Sequence, residues 1–298
     1  MRSFKYILLF LLVWAHSAAH AFNSSKESIT AMGFTMGYRK SMFGSEGNMT
    51  QPCLVVYLHG GSSKGNDNMK QLQEPGTDSI ANYLQASGIN AIFLIPQCPA
   101  DKSWGGPMNA VLKAMMDKYV EAGMVDADRV YLFGGSMGGT GTWGMLSAYP
   151  NYFVAAMPVA ANPSKSDAET VATTPAFTVM GTADVLMKVE TAADFVEKLQ
   201  QLGDDVVMET EEGWTHEMTC IESYTTRRLD WVFSHQRGIS TGIKSIAAGN
   251  EEMMPVVRRN YYLLDGRQVE TPDGHRVYIL KETMQNGTVR TKKVSFGK

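Results

Sequence analysis

Strand-like apolar stretches recur along this chain, most of them running into glycine or proline. Cys53-Leu-Val-Val-Tyr-Leu58, Ala91-Ile-Phe-Leu-Ile95, Val130-Tyr-Leu-Phe133, Phe153 to Ala160 and Ala176-Phe-Thr-Val-Met180 are such runs. A continuous apolar run suits a strand covered on both faces, as in a parallel sheet. An earlier strand is expected over 33–43, ended by the turn-rich Gly44 to Pro52, and a last one over Val206 to Glu211. Helices are expected over 79–87, 107–123, from the glycines after Phe133 to Tyr149, over 189–202 and over 220–236. Strands alternating with helices in this order predict an α/β fold: an open parallel sheet with helices on both faces. Ligands bind such sheets beyond the strand C-termini.

The last residues break this rhythm. Tyr261 to Leu264, Val277 to Leu280 and Val289 to Val294 are short strand-like pieces. Asp265-Gly266, Pro272-Asp273-Gly274 and Asn286-Gly287 separate them, the last two being hairpin signals. Charge changes sign at the same place. Residues 22–237 hold 15 Lys+Arg against 24 Asp+Glu, whereas 238–298 hold 10 against 6. We therefore expect a main domain over 22–237 and a small β module over 238–298. The acidic body argues against nucleic acid as a partner.

The first 21 residues read as a secretory signal peptide. Arg2 and Lys5 form the basic region, Tyr6 to Trp14 the apolar one, and Ala19-His20-Ala21 the cleavage site. The apolar run is too short for a stable membrane span, and no later segment looks like one. The expectation is an exported, soluble protein. Its three cysteines leave at least one thiol without an internal partner. Cys98 and Cys220 both fall in expected loops, where a bridge is conceivable; Cys53 opens an apolar strand and reads as a buried small hydrophobe.

Candidate chemistry centres on Gly134-Gly135-Ser136-Met137-Gly138-Gly139, which ends one strand and opens a helix. Gly134, Ser136 and Gly138 fit G-x-S-x-G, the sharp turn that lifts a serine hydroxyl above a sheet. A serine is a weak nucleophile and needs a base, which needs an orienting carboxylate. Six histidines narrow to one. His16 and His20 lie in the signal peptide, His275 in the β tail, His235 in the last helix, and His59 is better suited to shaping a glycine loop. His216 remains, in a loop after the last strand. Asp184 follows a strand and gives the chain order Ser, Asp, His; Asp204, Asp205 and Asp230 follow no strand C-terminus. Two amides are expected to face the developing oxyanion, that of Met137 and that of Gly61, with Ser62 the next candidate for the second. This chemistry requires no cofactor and no metal.

Together, His59-Gly60-Gly61, Pro96-Gln97-Cys98-Pro99 with Trp104, Asp128-Arg129-Val130-Tyr131, Gly134 to Gly139, Gly181-Thr-Ala-Asp184 and Trp214-Thr-His216 resemble the α/β-hydrolase superfamily. More narrowly, they resemble its polyhydroxybutyrate-depolymerase-like and carbohydrate esterase family one group over about residues 33–236. The resemblance implies a three-layer αβα sandwich around a mostly parallel sheet. It also implies ester hydrolysis through an acyl-enzyme, with feruloyl or acetyl groups on plant polysaccharides as substrates. Trp104 and Trp214 could then stack on a sugar ring or aromatic acyl group, or simply pack their loops. Tyr262-Leu-Leu-Asp-Gly-Arg267, Val277-Tyr-Ile279 and Lys292-Lys293-Val294 resemble the C-terminal sorting domain of the type IX secretion pathway, which would make secretion machinery a partner. The tail is shorter than usual, and His275-Arg276 alters its glycine-aromatic spacing. Two other functions stay open: a serine peptidase of the prolyl-oligopeptidase type, and a non-catalytic carbohydrate-binding protein on a hydrolase scaffold.

Overall fold

The computed structural model describes residues 22–44, 51–237, 256–263, 267–271, 277–284 and 289–295. By compactness the chain divides after Val232 into two units. The signal-peptide residues and His275 lie outside the described residues, as do all three expected turns of the tail.

The first unit holds an eight-stranded sheet. Its strands are β1 Ser25–Ala31, β2 Phe34–Phe43, β3 Cys53–Leu58, β4 Ala91–Pro96, β5 Val130–Gly135, β6 Ala155–Val159, β7 Ala176–Gly181 and β8 Val206–Glu211. They lie in the order β1-β2-β4-β3-β5-β6-β7-β8. β2 pairs antiparallel with β1 and β4, and every other pair is parallel. The helices are α1 Pro75–Ser87, α2 Pro107–Val120, α3 Met137–Ala148, α4 Ala168–Val171, α5 Val189–Gln201, α6 His216–Glu222 and α7 Thr226–Phe233.

The apolar runs explain the centre of the sheet. Every residue of β3, β4, β5 and β7 is buried, because helices cover both faces. One layer of the core sets Leu54, Val56 and Leu132 against Val111, Leu112 and Met115 of α2 and Trp143 and Leu146 of α3. Among the described residues, no helix is long and apolar enough to cross a membrane.

Two features depart from expectation, and one open question is answered. Ser25–Ala31 forms an edge strand that its polar sequence hides; Met32 and Gly33, both at positive φ, turn it back on β2. The helix expected over 220–236 is two helices, α6 and α7, parted at Ser223-Tyr224-Thr225. No disulfide joins Cys98 and Cys220: all three cysteines are free thiols, with Cys53 and Cys98 buried. Burial pushes each thiol up to about 12, so none is ionised near neutrality.

The second unit contains β9 Val256–Tyr262, β10 Gln268–Val269, β11 Val277–Met284 and β12 Val289–Ser295. They form an antiparallel sheet in the order β10-β9-β11-β12. Tyr278 and Leu280, two apart on β11, are buried on one face, the period expected of a strand covered on one side.

Candidate active site

The site forms where β3, β5, β7 and β8 end. β5 runs into Ser136, whose backbone is held at φ 58 and ψ −120 immediately before the first turn of α3. Such a conformation costs a β-carbon-bearing residue about 1–3 kcal/mol. The turn is pinned on both sides: the Ser136 amide donates to the Val159 carbonyl at 3.0 Å, and the Thr140 amide donates to the Ser136 carbonyl at 3.0 Å. Glycine is required around it. A Cβ on Gly138 would overlap the Leu58 carbonyl at the end of β3, and one on Gly134 would overlap the Gly138 carbonyl.

His216 is the first residue of α6, capped by the Thr215 hydroxyl. Its Nε2 lies 2.7 Å from Ser136 Oγ and its Nδ1 lies 2.7 Å from Asp184 Oδ2. Asp184 Oδ1 accepts the amides of Leu186 and Met187 at 2.8 and 2.9 Å, an Asx turn that fixes the carboxylate. The Asp184 side chain is fully buried and that of His216 is 18% exposed, so the imidazole alone of the pair meets solvent. With the buried carboxylate as acceptor, the ring carries its hydrogen on Nδ1 and leaves Nε2 free to accept the Ser136 proton.

Cross-links between loops hold this line of three. The Ala183 amide donates to the Trp214 carbonyl at 3.0 Å, and the Gly213 amide donates to Thr182 Oγ1 at 2.7 Å. The loops after β7 and β8, one bearing the carboxylate and the other the imidazole, are thus tied together before their side chains meet. The competing Asp230 accepts the Tyr83 hydroxyl at 2.8 Å instead. Asp204 and Asp205 sit at the start of β8, at the opposite end from His216.

The loop after β3 approaches from the other side. His59 is completely buried. Its Nε2 accepts the Cys98 amide at 2.9 Å, so its hydrogen sits on Nδ1 and is donated to the Gly60 carbonyl at 2.6 Å. Burial lowers its pKa to about 4, so the ring is neutral. Gly61 opens a 3-10 turn, Gly61–Ser63, and is exposed. A Cβ on the preceding Gly60 would lie 3.6 Å from Ser136 Cβ, so the loop stands beside the serine. The Met137 amide belongs to the first turn of α3, where unpaired N–H groups favour negative charge.

The two tryptophans differ. Trp104 is only 7% exposed, its indole N–H donates to the His59 carbonyl at 2.9 Å, and its ring meets His59 edge-on. Of the two roles open to it, stacking or loop packing, these contacts favour packing against the β3 loop. Trp214 is half-buried, and the Arg228 guanidinium lies 5.8 Å from its ring centre.

Arg228 and Glu74 gave no signal in the sequence, and Gln97 stood there only within the Pro96-Gln97-Cys98-Pro99 motif. Arg228, itself buried, bonds Glu209 at 2.8 Å and also Glu211, and so braces β8 behind Trp214. Gln97 donates to the Ser63 carbonyl at 3.2 Å, bracing the β3 loop. Glu74, just before α1, accepts the Ser63 hydroxyl at 2.5 Å.

No protein family matches the sequence, and no curated protein does. Solved structures do match the fold. A thermostable esterase superposes with a TM-score of 0.66 at 27% identity, over 72% of this chain and 63% of that one. This chain therefore spans less than two thirds of that esterase. A feruloyl esterase module from Clostridium thermocellum, solved with sinapinate, gives 0.58 at 12% identity over 73% of this chain and 90% of that one. The acylaminoacyl peptidase of Pyrococcus horikoshii gives 0.53 at 12% identity, over 75% of this chain and 43% of that one. The first unit thus has the α/β-hydrolase fold, and its structural neighbours are esterases and peptidases of that type.

Proposed function

We propose that this protein is an exported serine carboxylesterase in which Ser136, His216 and Asp184 carry the reaction. The observation that supports it is the continuous line of hydrogen bonds from Asp184 through His216 to Ser136, each 2.7 Å long. His216 Nε2 takes the Ser136 proton as Oγ attacks the ester carbonyl. Asp184 holds the ring and stabilises the imidazolium that forms. The Met137 and Gly61 amides receive the oxyanion; one such donor is worth ~3 kcal/mol in a transition state. The imidazolium then protonates the departing alcohol, and the same ring activates water to release the acid.

The proposed substrates are feruloyl or acetyl esters on plant polysaccharides. Support comes from the esterase and feruloyl esterase folds among its neighbours and from Trp214 at the rim. Residues 1–21 are proposed to direct export, and the C-terminal β module to engage secretion machinery. The test is hydrolysis of p-nitrophenyl acetate by the chain from Phe22 onward, with Ser136→Ala as control. Methyl ferulate, acetylated xylan and p-nitrophenyl esters of increasing length then define the acyl group. Absence of turnover and of Ser136 labelling by a fluorophosphonate would overturn the reading in favour of a non-catalytic binding protein. A peptidase fold also lies among the neighbours, so preferential cleavage of peptide p-nitroanilides would replace the esterase reading by that of a peptidase.

A further inference from the structure

Glu74 belongs to no part of the mechanism above, yet it borders the nucleophile. It lies between the 3-10 turn Lys70–Gln73 and α1, and its backbone is extended at φ −74 and ψ 123. The point where a Cβ on Gly60 would stand is 3.5 and 3.6 Å from the two Glu74 carboxyl oxygens and 3.6 Å from Ser136 Cβ. These are ordinary van der Waals distances, so the carboxyl and the serine flank Gly60 on the same side. Ser63 Oγ donates to Glu74 Oε1 at 2.5 Å, and the carboxyl oxygens lie against Gly60. Gly60 and Ser63 flank Gly61 in sequence, so one side chain lies against both ends of the turn whose amide is to face the oxyanion.

The far side of Glu74 is fixed as well. A Cβ on Gly76, at the start of α1, would come within 2.6 Å of the Tyr57 hydroxyl and 2.7 Å of the Tyr224 ring. The helix start is therefore pressed against two buried tyrosines that meet edge to face at 5.7 Å. Little freedom is left for Glu74 to move away from the loop.

We propose that Glu74 is the positioning residue of this loop: its carboxyl bonds Ser63, packs beside Gly60 and so sets the Gly61 amide against the acyl oxygen of a substrate on Ser136. The inference rests on the esterase reading above. The carboxyl acts through the loop and touches no reacting atom. Burial raises its pKa, which favours the neutral form; a negative charge there would oppose a developing oxyanion. The other titratable groups that interact with it are Tyr57, Tyr224 and Cys220, all pushed upward by burial and all neutral near pH 7.

The test compares Glu74→Ala, Glu74→Gln and Ser63→Ala in the chain from Phe22 onward, with p-nitrophenyl acetate turnover and inhibition by a boronic acid that forms a tetrahedral adduct on serine. A loop displaced by about an ångström costs up to ~100-fold. We expect Glu74→Ala to lower kcat by about 10-fold or more with little change in KM, and to weaken boronate inhibition by a similar factor. Glu74→Gln, which keeps an acceptor for Ser63, should restore most of both. If Glu74→Ala does not fold, Ser63→Ala must show the same joint loss in kcat and boronate affinity. Unchanged kcat and boronate affinity in either folded variant would overturn the proposal, as would an equal loss in Glu74→Ala and Glu74→Gln. An inactive wild type that a fluorophosphonate does not label would sink the esterase reading instead, which keeps the two failures apart.

Discussion

The Cys98 amide donates to His59 Nε2 at 2.9 Å, which fixes the ring's one hydrogen on Nδ1, facing the Gly60 carbonyl. Protonating this ring would set two donors face to face in a buried site. In the unfolded chain His59 takes a proton near 6.5, but in the fold only at about 4. Between those values the unfolded state binds more protons, so stability falls as pH drops from about 7 to 4. A shift of this size corresponds to roughly 3 kcal/mol. Urea midpoints measured across that range should fall more steeply for the wild type than for His59→Asn.

Removal of the imidazole beside Ser136 should be far more damaging than removal of the other candidate. His216→Ala is expected to lower kcat/KM for p-nitrophenyl acetate by roughly 10⁴-fold or more, while His235→Ala leaves it nearly unchanged. Equal losses would mean that the base is not His216.

The glycines at the turn differ in what surrounds them, and their alanine variants should differ accordingly. Gly138→Ala drives a methyl group into the Leu58 carbonyl, whereas nothing lies within 4 Å of a Cβ on Gly61. Overpacking against backbone costs about 3 kcal/mol or more, or about 10 °C in Tm for a domain of this size. Thermal unfolding by circular dichroism should show Gly138→Ala as strongly destabilised or insoluble and Gly61→Ala as close to wild type.

The tryptophans should separate stability from substrate binding. Trp104→Phe loses the indole bond to the His59 carbonyl, and should lower Tm with KM unchanged. Trp214→Ala should raise KM for methyl ferulate more than for p-nitrophenyl acetate, since only the former presents an aromatic acyl group. An equal rise for both esters would exclude ring stacking by Trp214.

A chain ended at Arg237 should remain folded and active, because the compact first unit closes at Val232. Insoluble protein after that truncation would show that the tail completes the hydrolase unit.

Much of this site was legible in the sequence because apolar runs fix where buried strands end. Ser136 and Asp184 follow such ends, His216 follows the half-exposed β8, and the three side chains meet in space. Other features carried no such mark. Ser25–Ala31 is a polar edge strand held by pairing with β2 instead of by burial. The gap between α6 and α7 falls at Ser223-Tyr224-Thr225, with no glycine or proline to announce it. Glu74 reads as an ordinary acidic residue before a helix until the fold brings Ser63 to it across 11 positions. Trp104 shows the limit from the other side: a loop aromatic looks available for ligands until the layer beneath it is known.

The two oxygens of Asp184 face different structures. One orients the imidazole; the other anchors the Val185-Leu186 tip, whose residues are 91% and 67% exposed. The backbone of this apolar tip and the ring of His216 therefore share one carboxylate as their acceptor. Displacing Leu186 and Met187 thus means displacing the group that orients the imidazole.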